Sequence, residues 1–109
     1  MTTMRQRVTR ELARVTEAAG LTFANRPNTA STGHFLAQRG FETVLDAAYA
    51  FQAGACSLVY SGPVARAWAE NGPGAAPEDW PGARWHRHNG QVVSTGTGQQ
   101  QVGVFAAML

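Results

Sequence analysis

A chain of 109 residues has room for one domain and one hydrophobic core, not two. Its 44% hydrophobic content excludes a disordered polymer, and a single cysteine, Cys56, excludes an internal disulfide or a thiolate-rich zinc site. A net charge of +2 is too small to demand nucleic acid, and no run of 18 apolar residues is present to span a membrane. The basic start MTTMRQRVTR leads into no apolar signal-peptide segment, so the expected compartment is the cytoplasm.

Charged residues make up only 15% of the chain, against about 25% in typical soluble domains. A surface this poor in charge is suited to an oligomer or a stable partner. Every basic side chain is arginine. A GC-rich genome gives that bias without function, whereas arginine forks also suit phosphate and carboxylate contacts. The charge is segregated. Residues 1–39 hold six arginines against Glu11 and Glu17, while residues 40–80 hold Arg66 against five acidic residues.

Residues Thr3 to Ala19 read as a helix, because Met4, Val8, Leu12, Val15 and Ala19 form one apolar stripe. Thr2 or Thr3 supplies the cap and Gly20 the stop. Arg7, Arg10 and Arg14 fall on the opposite side, either as a solvated face or as a phosphate-contacting ridge. Leu21 to Ala24 is expected as a short strand and the segment 25–31 as a loop.

A short helix is expected over Gly33 to Arg39, ended by Gly40, and a longer one over 41–53. Phe41, Val44, Leu45, Ala48 and Phe51 make the apolar face of the second, opposite Glu42 and Asp46. The one-glycine connection is too short for a DNA-binding helix-turn-helix, whose turn takes 3–4 residues. Ala55 to Tyr60 reads as a buried strand, and Pro63 opens a helix through Glu70. The stretch 71–83, dense in proline and glycine, is expected as a surface loop carrying Trp80, as a core plug or a partner contact.

Asn89-Gly90 between two strand-like arms is the preferred two-residue hairpin turn. The register this turn sets pairs His88 with Gln91, Arg87 with Val92, His86 with Val93, Trp85 with Ser94 and Arg84 with Thr95. A Gly-rich turn at 96–98 is expected to lead into a last strand over Gln101 to Ala106, ending in a packed apolar terminus.

These elements make a small single α+β domain, with a three- to four-stranded, mostly antiparallel sheet against two or three helices. No catalytic motif, cofactor fingerprint or metal-ligand spacing stands out, and neither a cofactor nor a metal is expected. The expected function is non-catalytic: an accessory or regulatory protein binding a protein partner or its own copies. Its contact surface would comprise Trp80, Arg84, Trp85, His86, Arg87 and His88, assisted by Arg7, Arg10 and Arg14. The same residues offer phosphate contacts and a stacking ring to nucleic acid, which is the alternative reading. A small enzyme using His86, His88 or Cys56 is the third.

Overall fold

The computed structural model describes residues 3–71 and 84–109, so the predicted loop and its Trp80 lie outside the described residues. The chain runs α1 (Met4–Ala18), β1 (Thr22–Pro27), β2 (Thr32–Arg39), β3 (Glu42–Gln52), β4 (Ala55–Ser61), α2 (Pro63–Asn71), β5 (Arg84–His88), β6 (Gln91–Gly96) and α3 (Gly98–Met108). The six strands form one sheet in the order β1-β2-β3-β4-β6-β5, and every neighbouring pair is antiparallel. The expected α+β class is therefore correct, with six strands where three or four were expected.

The extra strands come from two corrections. Residues 33–39 and 41–53 are not helices but β2 and β3, joined by a turn at Gly40-Phe41. Gly40, expected to stop a helix, has φ +63° and Gly54 has φ +74°, and both instead turn hairpins. Phe41, expected at the head of a buried helix face, stands fully exposed at the first hairpin tip. The third correction is at the C-terminus, where the expected strand 101–106 is the helix α3. Thr97 caps it, its hydroxyl accepting from the Gln100 N–H while the Gln100 side chain accepts from the Thr97 N–H. Two reciprocal capping bonds outweigh the strand preference of Val102 and Val104.

The sheet has two unlike faces, as the pairing register shows. Phe35, Ala47, Tyr60 and Val92 lie on one row across β2, β3, β4 and β6, and all four are buried. This inner face carries the core. Phe35 stacks on Tyr49 with ring centroids 4.2 Å apart and lies 5.8 Å from Phe23. The three helices cover the same face. Val8 and Leu12 of α1, Ala65 of α2, and Val104, Phe105 and Met108 of α3 all join its cluster.

One close approach and one polar clamp fix the helical layer. A Cβ on Gly98 would lie 2.7 Å from a methyl of Val8, so only glycine lets α1 seat on the start of α3. Gln101, fully buried, accepts from the Ser94 hydroxyl at 2.8 Å and donates to the Cys56 carbonyl at 2.9 Å, tying α3 to β6 and β4. On the sheet itself, Tyr49 lies across from Gly33, and its hydroxyl donates to Asn25 at 3.1 Å. No helix among the described residues is long and apolar enough to cross a membrane.

Candidate functional site

The predicted hairpin forms with the predicted register, from Arg84↔Thr95 to His88↔Gln91. Asn89 and Gly90 take φ of 49° and 76°, the left-handed pair that this two-residue turn requires. The side chains of Arg84, Trp85, His86 and His88 lie outside the described parts of the structure. Arg87 donates from Nε to the Trp68 carbonyl at 3.2 Å, so it ties the hairpin to α2.

Arg7, Arg10 and Arg14 are exposed on α1 as expected, but they do not act as one row. Arg7 and Arg14 flank a groove between α1 and the first turns of α3, and Arg14 is already paired with Glu11 at 2.7 Å. Arg10 lines a separate recess with Arg5, which itself donates to the Ala30 carbonyl. Helix α1 packs on α3 and on β1, and β1 and the hairpin edge β5 are at opposite ends of the strand order. Five inter-strand steps of about 4.8 Å put roughly 24 Å between those edges.

The residues with catalytic or ligand chemistry are also dispersed. Cys56 is buried on the inner face, where burial pushes its thiol up to about 12. A thiol so disposed to keep its proton is a poor nucleophile. Its strand neighbour Gly96 belongs to the Ser94 alternation of β6, while His86 and His88 pair with Val93 and Gln91 in the other alternation. His34 is on β2, with β3, β4 and β6 between it and the histidines' strand β5. It cannot complete a metal site with the hairpin histidines. Among the described residues no group of three or more histidine, cysteine or acidic side chains is placed to hold a metal.

What the structure does bring together is a surface that the sequence reading did not single out. On the face of the sheet opposite the helices, register aligns His34, Ala48, Val59 and Val93 across β2, β3, β4 and β6. Ala50 and Ser57 form the next row on one side; Leu36, Asp46 and Ser61 form the row on the other. Ala48, Ala50, Val59 and Val93 of these rows lie outside the helical core cluster, whereas Leu36 is only 5% exposed and so is already covered on this side. No described helix lies on this face.

Charge on the face is nearly self-contained. Asp46 is bonded to His34, Nδ1 to Oδ1 at 2.7 Å, and Arg26 stands on the edge strand β1. The remaining described side chains of this face on β3, β4 and β6 are small, hydroxylic or aliphatic, with the amides Gln52 and Gln91 at its ends, and β5 pairs Arg84, His86 and His88 with Thr95, Val93 and Gln91 of the same alternation. Compared with protein-family models, curated proteins and solved structures, the chain matches none.

Proposed function

We propose that the protein is a non-catalytic accessory protein that works by docking a protein surface onto the helix-free face of its sheet. The observation that carries this reading is the composition of that face. Antiparallel sheets with one solvated face alternate apolar-in with polar-out. Here β3 and β4 instead present Ala48, Ala50 and Val59 on the outer side, where water would favour polar residues. Leaving such a surface wet forgoes about 25 cal/mol for every Å² of apolar area that a partner would cover. The chain's low share of charged residues points the same way.

The reading is tested by placing a photo-crosslinking amino acid at Val59 in cells of the source organism, with the same group at exposed Glu17 on α1 as control. Protein adducts are expected from position 59 and not from position 17. If position 59 gives no adduct, or adducts appear equally at both positions, the reading is wrong.

A further inference from the structure

We infer that the recess between the first turns of α1 and the edge strand β1 is a binding site for a phosphomonoester dianion. The recess is on the helical side of the sheet, away from the docking face proposed above, and the two proposals stand or fall separately.

The first argument is the lining. Arg5, Gln6, Thr9 and Arg10 of α1 and Asn25 of β1 line a recess of about 480 Å³, a size suited to a small molecule. The four α1 residues recur at i, i+1, i+4 and i+5, so they share one side of the helix. Asn25 pairs with Phe35 and therefore belongs to the inward alternation of β1, towards the helices.

The second is hydrogen bonding, because these side chains have mainly donors left to offer. Gln6 Oε1 accepts from the Thr3 N–H at 2.9 Å, and Asn25 Oδ1 accepts from the Tyr49 hydroxyl at 3.1 Å. In each amide the NH2 end is left unengaged. Thr9 donates its hydroxyl proton to the Arg5 carbonyl at 2.7 Å. Arg5 donates from Nη1 to the Ala30 carbonyl, which anchors the side chain and leaves the rest of its N–H fork. Tyr49 is buried and stacked on Phe35, so it holds the Asn25 amide in place before any ligand arrives.

Charge is the third, and it selects the ligand. Two guanidinium groups line the recess and no carboxylate does. Neither Arg5 nor Arg10 has an ion pair among the described residues, and Glu11, next to Arg10 in the chain, is bonded to Arg14. An anion of matching charge relieves the repulsion between the two arginines. A phosphomonoester carries about −1.5 to −2 near pH 7 and accepts through three oxygens, whereas the phosphodiester of a nucleic acid carries a single charge. Arginine forks fit phosphate oxygens two at a time.

The test is a titration of the full chain with methyl phosphate at fixed salt, followed by amide NMR shifts. Saturable shifts are expected at residues 5–10 and at Asn25, with dimethyl phosphate binding about tenfold more weakly or less. Arg10→Gln and, separately, Asn25→Asp should each weaken methyl phosphate binding by about tenfold or more. The second keeps the acceptor for Tyr49 and puts a carboxylate where a donor was. Arg39→Gln, which removes the same charge from the exposed end of β2, should leave binding unchanged. Both recess residues substituted are exposed, so thermal melts are expected to match the parent; if Asn25→Asp alone melts early, Arg10→Gln decides. No saturable shift overturns the inference, as does an equal loss with Arg39→Gln, which would mean diffuse attraction only. Dimethyl phosphate binding as tightly as methyl phosphate also overturns it, and points instead to a nucleic-acid backbone.

Discussion

The buried amide of Gln101 gives the sharpest test of how the helical layer is held. Gln101→Leu removes the bond from Ser94 and the bond to the Cys56 carbonyl while keeping a side chain of similar bulk. Each hydrogen bond contributes about 1 kcal/mol net, and a buried polar group left without a partner costs a further ~1–3 kcal/mol. The added apolar burial of leucine returns about 1–2 kcal/mol. The balance is a destabilisation of about 2 kcal/mol, or a fall in melting temperature of roughly 10 °C for a domain of this size. Ser94→Ala in the Gln101→Leu background should cost about 1 kcal/mol less than it does alone, because the hydroxyl has already lost its acceptor. Urea titrations of the four proteins of that cycle measure both quantities. A Gln101→Leu variant as stable as the parent, or a cycle with no coupling, would show that the clamp does not hold α3 to the sheet.

Two further outcomes follow from the core. Gly33→Ala should destabilise by about 3 kcal/mol, the upper end of overpacking costs. Its Cβ would sit 2.6 Å from the Arg26 carbonyl oxygen, 2.7 Å from the Pro27 Cα and 2.5 Å from the Tyr49 hydroxyl, and the first two are backbone that cannot swing away. An unchanged melting curve would refute that geometry. Alkaline pH should weaken the fold, since burial raises the Cys56 thiol to about 12 and lifts the Tyr60 hydroxyl, which has no hydrogen-bond partner, well above its usual range. The native state then keeps protons that the unfolded chain has lost. The associated stability is complete below about pH 9 and is lost progressively towards pH 12, by about 3 kcal/mol at pH 11 from the cysteine. Urea midpoints read from pH 8 to 11 check the sign, and Cys56→Ala should make the decline shallower; a midpoint that rises or stays flat would contradict it.

The parts of the fold legible in the sequence are those fixed by local chemistry. The apolar stripe of α1, the proline that opens α2 and the Asn89-Gly90 turn each act over a few residues, and each appears where it was read, the hairpin down to its register. Helix α3 was legible too, through the Thr97-to-Gln100 capping pattern, but alternating valines suggested a strand and Gln101 gave no hint that it would be buried. The hairpin was identified correctly as a hairpin, but its place at the edge of a six-stranded sheet depends on a strand order that no local motif encodes.

The misreading of residues 41–53 has a physical cause that bears on function. Inward positions Leu45, Ala47, Tyr49 and Phe51 do alternate, as a strand with one core face should. The alternation is hidden because the outward residues Ala48 and Ala50 are apolar as well, and because a bulge opposite Ala37 and Gln38 puts Val44 beside Leu45 in buried positions. With both parities filled, apolar residues recur at three- and four-residue spacings, and the segment imitates a helix. An ordinary solvated outer face would have carried polar residues there and made the strand plain. The feature that conceals β3 in the sequence is therefore the one that marks its outer side as a surface to be covered. A charge placed at Val59, directly across from Ala48, should consequently be harmless to the fold and damaging to assembly.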